Sequence, residues 1–295
     1  MTLPTFLGIG VPRAGTTWLH TLLSAHPDVY LPSRRKEVRF FDSYYEQGQE
    51  WYEAFFCPPE EAGRYEAIGE ISPQYLYCEE GPERIRALLP SAKLIVMLRH
   101  PVDRAYSQFG FVIQRRNYRG SFEEFLATRP RALEMGFYGR HLARYRLHFD
   151  RGQILPVLFE HAVSEQSGVR GDLAGFLGVS EDLFPGSMEK VNPSTVPRFP
   201  SLSSRAVTMG RRLRRFHLEP LVDLAGRSGL RRWITSGTRV PTLDPRLKRD
   251  LSQMYEDDFD ELESSWGIDL GVWRDRSSMP EGPAVRQNSE TQGPT

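Results

Sequence analysis

The stretch TFLGIGVPRAGTTWLHTLLSAHP, residues 5–27, contains an apolar run, a glycine turn and a helical pattern in immediate succession. The run TFLGIG (5–10) stops at glycine, which is typical of a buried strand, and the apolar residues 18, 19, 22 and 23 then recur on one helix face. A strand, a glycine loop and a helix in this order begin a βαβ unit. The stretch therefore predicts an α/β fold whose first loop follows the carboxyl end of a strand.

Two later segments repeat this order. AKLIVMLR (92–99) and QILPVLFE (153–160) read as buried strands, and each precedes a helical pattern; Pro101 suits the first turn of the helix that follows the earlier strand. Strands separated by helices indicate a parallel sheet covered on both faces. We predict a P-loop-like, three-layer α/β/α fold with a central, mainly parallel sheet.

Composition limits the class of protein and its partners. The chain has 295 residues, and 38 Lys and Arg balance 38 Asp and Glu, which argues against a general nucleic-acid binder. The two cysteines, Cys57 and Cys78, form neither a metal-ligand pattern nor a disulfide framework, so we predict no metal site. We see neither a leader nor an apolar run of membrane-spanning length, and expect a cytoplasmic protein. Oligomeric state is not readable from the sequence.

The chain reads as one large domain over residues 1–272. A basic, helical stretch at about 201–240 reads as an insertion or lobe, and helical patterns are also predicted over 136–149 and 243–267. The last of these has Asp244 as its N-cap and Gly267 as its stop. Residues 273–295 are expected to form a disordered tail, because Pro, Gly, Ser, Gln and Glu dominate from about Ser277 onward.

The first loop has the glycine spacing of a phosphate-binding loop. Gly10 and Gly15 are separated by four residues, but Thr16 stands where a Walker A loop has its lysine. Backbone N–H groups at a helix start, the hydroxyls of Thr16 and Thr17 and the guanidinium of Arg13 suit an anion. An ordinary tight turn explains one such loop equally well.

A second anion position is predicted after the strand 92–99. Arg99 lies at its carboxyl end and Ser107 lies in the following helix, where open α/β sheets collect their ligands. The two side chains are suited to a phosphate separate from the one at the first loop.

The third candidate is Glu37 in RRKEVRFFD (34–42), where cations surround it and an aromatic pair follows. A general base beside an anionic donor fits this pattern. A solvated charge cluster on the surface fits it too, and the spacing alone favours the surface.

Four segments together resemble one enzyme family. GVPRAGTTWL (10–19), KEVRFFD (36–42), GEISPQYL (69–76) and LRHPVDRAYSQF (98–109) occur in the order found in sulfotransferases that use 3′-phosphoadenylyl sulfate (PAPS). The resemblance covers most of residues 5–272. KEVRFFD is most similar to the heparan sulfate N- and 3-O-sulfotransferase branch, and the combination is typical of a bacterial member.

The resemblance implies a donor site that needs no metal. The residues implied to bind PAPS, or its product adenosine 3′,5′-bisphosphate, are Pro12, Arg13, Ala14, Gly15, Thr16, Thr17, Trp18, Arg99 and Ser107. Among these, Arg99 and Ser107 match the 3′-phosphate pair. Trp18 matches the aromatic near adenine, although a Trp facing the core fits the pattern equally well.

The resemblance also implies the reaction. Glu37 matches the base that takes a proton from an acceptor hydroxyl or amine as that atom attacks sulfur in line. Arg13 stands where the family has a lysine beside the bridging oxygen. A guanidinium there can stabilise charge on the departing phosphate but cannot donate a proton to it at neutral pH.

Some positions depart from the family pattern. Ile71 replaces a lysine of the glycosaminoglycan branch, so a second cation is missing or comes from Arg39 or Lys36. Arg198 and Arg239 are alternative cofactor contacts of uncertain register. Glu70 is interpreted as a carboxylate that orients Arg13 or Arg99.

The acceptor is not specified by the sequence. A carbohydrate, a lipid or another small molecule fits, and the aromatic residues of 40–56 either line its site or belong to the core. Two other functions stay open from the sequence alone. One is a small-molecule kinase on a degenerate P-loop, and the other is a nucleotide-binding relative without catalysis.

Overall fold

The computed structural model describes residues 2–116, 118–186 and 243–274. Across these residues a five-stranded sheet forms the centre, and every neighbouring pair of its strands is parallel. The strands are β1 Phe6–Gly10, β2 Val29–Tyr30, β3 Ala67–Ile71, β4 Lys93–Leu98 and β5 Ile154–Leu158. Helices flank the sheet, which confirms the predicted P-loop-like α/β/α class.

Helices in the described residues are numbered here in chain order. They are α1 Thr16–Ser24, α2 Phe40–Ser43, α3 Gln49–Glu53, α4 Pro59–Ala62, α5 Gly81–Leu88, α6 Pro101–Arg116, α7 Phe122–Thr128, α8 Arg131–Glu134, α9 Tyr138–Arg146, α10 Phe159–Ser164, α11 Gln166–Leu177, α12 Pro245–Ser252, α13 Glu256–Trp266 and α14 Gly271–Arg274. None of these helices combines the length and the apolar character needed to cross a membrane.

The order of the strands fixes where the loops separate. The sheet runs β2-β3-β1-β4-β5, so β2 and β3 lie on one side of β1, and the chain then crosses to the other side for β4 and β5. In such a sheet, the loops that leave the carboxyl ends of the two strands at this switch point diverge and open a crevice. The loop 11–15 follows β1 and Arg99 follows β4, so the fold itself brings the two predicted anion positions to one crevice.

β1 is central because its residues can be buried on both faces. All five of its residues are buried, and Phe6 pairs with Gly69 on one side and Lys93 on the other. The strands predicted at 5–10, 92–99 and 153–160 are present within a residue or two. β2 and β3 were not predicted.

The predicted helix over 243–267 is interrupted. α12 and α13 are joined by a turn of 3₁₀-helix at Gln253–Tyr255. The predicted ends are correct, because the Asp244 side chain accepts the Arg246 N–H and Gly267 adopts the left-handed conformation after α13.

Several predictions fall on residues outside the described ranges. These are the lobe at 201–240, the arginines at positions 198 and 239, and the tail from 275 onward. The predicted end of the domain at 272 falls inside α14, whose Trp273 is 6% exposed and belongs to the core.

Candidate active site

The loop after β1 presents the start of α1 to the crevice. The Val11 N–H donates to the Met97 carbonyl at 2.8 Å, which ties the beginning of the loop to β4. Gly15 is the N-cap of α1 with φ 88°, a conformation that glycine adopts without strain. The first N–H groups of α1 therefore lie at the positive end of the helix dipole, as an anion site requires.

Phe159, the first residue of α10, packs against two parts of this site. A Cβ atom placed on Gly15 would lie 2.6 Å from the Phe159 ring, so the ring fits only because the glycine has no side chain. The guanidinium carbon of Arg99 lies 4.7 Å from the centroid of the same ring. Phe159 thus supports both the loop and the arginine that follows β4.

Three hydrogen bonds join the predicted residues. Arg13 Nε donates to Ser107 Oγ at 3.2 Å, and Arg99 Nη1 donates to the Arg13 carbonyl at 3.2 Å. Lys36 Nζ donates to Thr17 Oγ1 at 2.7 Å. The loop, the β4–α6 junction and the segment that contains Glu37 therefore meet in one place.

These contacts bring three cationic side chains to one place. The acceptor in each of the three hydrogen bonds is a hydroxyl or a carbonyl oxygen. A phosphate or sulfate bound here would accept charge-assisted hydrogen bonds from the same side chains. The residues present therefore fit an anionic donor.

Glu37 lies between two fixed neighbours. Lys36 contacts α1, while on the other side the Arg39 N–H donates to Ser72 Oγ at 2.9 Å. The Glu37 side chain is half-buried, so it keeps access to solvent or to a substrate. Both ends of this short segment are held, which restricts where its carboxylate can lie.

The second of these anchors rests on the buried carboxylate of Glu70. This residue is fully buried, and its oxygens accept hydrogen bonds from the hydroxyls of Tyr52, Ser72 and Tyr75 at 3.3, 2.6 and 2.5 Å. Burial raises the pKa of Glu70 to about 7, although the hydrogen bonds from Ser72 and Tyr75 favour the ionised form. The interpretation of Glu70 as a partner of Arg13 or Arg99 is wrong, because it binds hydroxyl groups instead.

Ile71, the position that departs from the family pattern, belongs to the core. It is fully buried and pairs with Gly8 of β1, where a Cβ atom would lie 2.9 Å from the Ile71 side chain. A lysine at this position would bury its charge beside β1.

Trp18 lies mainly in the core. It is 8% exposed and is part of the central hydrophobic cluster, and its Nε1 is buried without a hydrogen-bond partner among the described residues. Most of the Trp18 ring therefore faces the core, in agreement with the second of the two alternatives for this residue. A ligand or a water molecule could accept a hydrogen bond from this buried N–H.

The aromatic residues of 40–56 divide into two groups. One group is buried, and it consists of Phe40, Phe41, Tyr52 and Phe56. The other group is half-buried and lies near Arg35, whose guanidinium carbon is 4.3 Å from the Tyr44 ring centroid and 6.0 Å from that of Trp51. The core interpretation holds for the first group, and the second remains a surface beside the Glu37 segment.

Two residues of the site were not predicted in these roles. Lys36 was a candidate for a missing cation, but its contact with Thr17 was not predicted. The two residues belong to segments that come together only through the path of the folded chain. Phe159 was predicted only as the end of a strand. A glycine at a positive-φ position opposite an aromatic gives no periodic signal in the sequence.

Comparison with known proteins gives the family. The chain matches the sulfotransferase domain model over residues 3–209. Bifunctional heparan sulfate N-deacetylase/N-sulfotransferase 4 of Mus musculus is 34% identical over 197 residues, covering 60% of this chain and 22% of that protein. Heparan sulfate glucosamine 3-O-sulfotransferase 3A1 of Mus musculus is 34% identical over 186 residues, covering 60% of this chain and 46% of that protein. The matched part is thus less than half of either relative.

A solved structure has the same fold. The sulfotransferase from Alicyclobacillus acidocaldarius superposes with a TM-score of 0.68, covering 93% of this chain and all of that one, at 24% identity.

Proposed function

This chain belongs to the sulfotransferase domain family, and from that premise we propose that it moves a sulfuryl group from PAPS to a hydroxyl or amine. The observation that carries the proposal is the meeting of Arg13, Arg99 and Ser107 at the switch point of the sheet. The phosphate-binding loop of a kinase would explain only the glycine turn. A donor with two separate phosphate positions also explains why the β4–α6 junction brings a second arginine and a serine to that turn.

The donor residues divide between two positions. Backbone groups of 12–17 and the hydroxyls of Thr16 and Thr17 would hold the 5′-phosphosulfate at the start of α1. Arg99 and Ser107 would hold the 3′-phosphate. Arg13 links the two positions, and its permanent charge would stabilise the departing bisphosphate. Trp18 would turn its buried Nε1 and the edge of its ring toward the nucleotide.

Glu37 would act as the general base. When bound, PAPS supplies a sulfuryl group on a good leaving group. Glu37 accepts the proton of the acceptor as the acceptor atom attacks sulfur in line, and the anchors on both sides of Glu37 keep its carboxylate in place. Most of the acceleration would then come from positioning and from donors aimed at developing charge.

We propose a carbohydrate as the acceptor, with a lipid or another small molecule as alternatives. Relatives at 34% identity carry the names of heparan sulfate enzymes, which supports a sugar. The half-buried aromatic residues near Arg35 also support it, because sugars bind aromatic faces beside hydrogen-bond donors. These side chains lie a short distance along the chain from Glu37.

Calorimetric titration tests the donor. We expect adenosine 3′,5′-bisphosphate to bind equally well with and without EDTA, and Arg99→Ala to weaken that binding by about 10- to 100-fold, as the loss of a charge-assisted contact predicts. ATP with magnesium is the comparison ligand. If only magnesium–ATP bound, the kinase function would replace the one proposed.

Substitution of Glu37 tests the base. Glu37→Gln keeps the shape of the side chain and removes its ability to accept a proton. We expect loss of sulfuryl transfer from labelled PAPS to a responsive acceptor by at least about 100-fold, with bisphosphate affinity nearly unchanged. Turnover equal to that of the unsubstituted chain would remove Glu37 from this role.

A further inference from the structure

We infer that Lys36, supplied by the segment next to the base, is the cation that contacts the bridging oxygen of the donor, while Arg13 serves the 3′-phosphate side. The inference rests on the proposed function and assigns to each of its two phosphate positions a different cation. Lys36 takes the place of the lysine that the loop itself lacks.

The position of Lys36 is the first support. Its Nζ atom is 2.7 Å from the hydroxyl of Thr17, one of the two hydroxyls at the start of α1. A group within hydrogen-bond distance of that hydroxyl is also within reach of an anion held there. Burial lowers the pKa of Lys36, and the adjacent Glu37 carboxylate raises it in opposition. An ammonium with a lowered pKa is a better hydrogen-bond donor than an exposed lysine.

The other two positions considered for a second cation are 39 and 71, and both side chains are engaged elsewhere. Arg39 donates to Asp42 through both Nε and Nη2, and its backbone is held by Ser72. Ile71 is buried against Gly8. Of the positions considered for a second cation, Lys36 is therefore the one whose charge lies at the loop.

Arg13 extends in a different direction. Its Nε donates to Ser107, and its guanidinium carbon lies 5.1 Å from the centroid of the Phe111 ring, so its side chain packs on α6. The backbone of Arg13 has a positive φ, of 74°. Because Ser107 and Arg99 form the proposed 3′-phosphate pair, Arg13 reaches the donor from that side.

The proposed step is an in-line displacement at sulfur. The acceptor oxygen or nitrogen forms a bond to sulfur while the bond between sulfur and the bridging oxygen breaks and leaves its electron pair on that oxygen. The Lys36 ammonium stabilises the new phosphate charge through a hydrogen bond. The acceptor proton passes to Glu37, from which it is released to solvent.

Two ligands with one phosphate each, compared with the bisphosphate, distinguish the roles of the two cations without an acceptor. The probes are adenosine 5′-phosphate, adenosine 3′-phosphate and adenosine 3′,5′-bisphosphate, titrated calorimetrically into the full chain. The variants are Lys36→Met, Lys36→Arg and Arg13→Met. Arg34→Met is the matched control, because it removes one exposed positive charge from the same segment.

We expect Lys36→Met to weaken binding of adenosine 5′-phosphate and of the bisphosphate by about 10- to 100-fold, and to leave adenosine 3′-phosphate unaffected. Lys36→Arg keeps the positive charge and should retain part of the affinity that Lys36→Met loses. No such recovery is expected if the lysine side chain has only a structural role. Arg13→Met should instead weaken adenosine 3′-phosphate and the bisphosphate, and leave adenosine 5′-phosphate unaffected. Arg34→Met should change none of the three affinities by more than about twofold.

The outcomes distinguish the two proposals. If the unsubstituted chain bound none of the three nucleotides, the proposed function itself would fail. If it bound the bisphosphate but Lys36→Met weakened all three ligands equally or none of them, the assignment of Lys36 would be overturned. A loss confined to the 5′-phosphate ligands in Arg13→Met, with none in Lys36→Met, would return the role to Arg13.

Discussion

Glu70 is the residue at which burial and charge compete most directly. Its carboxylate has no contact with solvent, yet it receives three hydroxyl donors and is stabilised by the backbone N–H of Val38. Through Ser72, which also binds the Arg39 N–H, the carboxylate fixes the segment that carries Glu37. Glu70 is therefore a positioning residue for the proposed base rather than a partner of the arginines.

The raised pKa of Glu70 predicts a pH-dependent stability. Burial moves this pKa from 4.5 in the unfolded chain to about 7 in the folded one, so between these values the folded state binds more protons. The free energy of unfolding should therefore fall as pH rises from about 5 to about 8, by roughly 3 kcal/mol at most from this group. Denaturant unfolding, followed by tryptophan fluorescence at several pH values, measures it.

The comparison variant for this measurement is Glu70→Gln, in which the side chain at position 70 does not titrate. We expect the difference in stability between the two chains to change across this pH range, in favour of Glu70→Gln at the alkaline end. Glu66→Gln, an exposed position just before β3, should leave the profile unchanged. Parallel profiles for the original chain and Glu70→Gln would show that Glu70 does not titrate there.

The sequence indicated that Arg13, Arg99 and Ser107 lie near one another, but not which contacts they make. Arg13, Arg99 and Ser107 are adjacent because each follows the carboxyl end of a parallel strand, and that is a consequence of fold class. The Lys36–Thr17 contact depends on the course of the loop between β2 and α2. No periodicity encodes that course.

At the scale of elements, the junction of loop and helix depends on Gly15. Alanine there must adopt a φ of 88°, and its Cβ would lie 2.6 Å from the Phe159 ring. We expect Gly15→Ala to lower the free energy of unfolding by roughly 2 to 4 kcal/mol, from backbone strain and overpacking together. Denaturant unfolding measures the loss, and bisphosphate affinity should fall with it.

Gly178→Ala is a matched control for this prediction. Gly178 has the same left-handed conformation, with φ 82° and ψ 33°, but a Cβ atom there would meet nothing within 4 Å. Its substitution should show the backbone cost alone, about 1 to 2 kcal/mol. Combining Gly15→Ala with Phe159→Ala should recover the steric part of the loss. Equal costs at the two glycines would mean that the contact with Phe159 is unimportant.

The elements that the sequence missed have physical reasons for being hidden. β3 carries Glu70 as the fourth of its five residues, and a charged residue interrupts the apolar run that identifies a buried strand. β2 is two residues long, which is too short for any alternation. The predicted last helix has the correct ends because capping residues are local signals, whereas its interruption at Gln253–Tyr255 comes from packing.

The end of the described chain is connected through Glu160 to the start of α6, next to Arg99. Trp273 packs against Phe259 and donates from Nε1 to Glu160 at 3.0 Å. The other oxygen of Glu160 accepts the His100 N–H at 3.1 Å, one residue after Arg99. We propose that the domain predicted over residues 1–272 extends at least through Arg274, because α14 completes this core.

The family assignment made from four short segments is confirmed by the match to the sulfotransferase domain model over residues 3–209. The extent of the domain was harder to predict. α14 is a helix of four residues with one buried aromatic side chain, and a polar stretch follows it in the sequence. The change in composition hides this short helix from a prediction based on the sequence.

Truncation and substitution test this boundary together. A chain that ends after Arg274 should keep the stability and the bisphosphate affinity of the full chain, because α14 is retained. A chain that ends after Leu270, or Trp273→Ala in the full chain, should lose roughly 3 to 5 kcal/mol of stability, as removal of a buried tryptophan predicts. Thermal unfolding and calorimetric titration with adenosine 3′-phosphate measure both effects.

Trp273→Phe keeps an apolar ring in the core, although a smaller one, and removes the donor to Glu160. If Glu160 holds the start of α6, this variant should weaken adenosine 3′-phosphate by a few fold and adenosine 5′-phosphate very little. The asymmetry follows because Arg99 serves the 3′-phosphate in the proposed site. Equal weakening of both ligands would limit α14 to a stabilising role, and loss of stability in the chain ending after Arg274 would place the end of the domain further along.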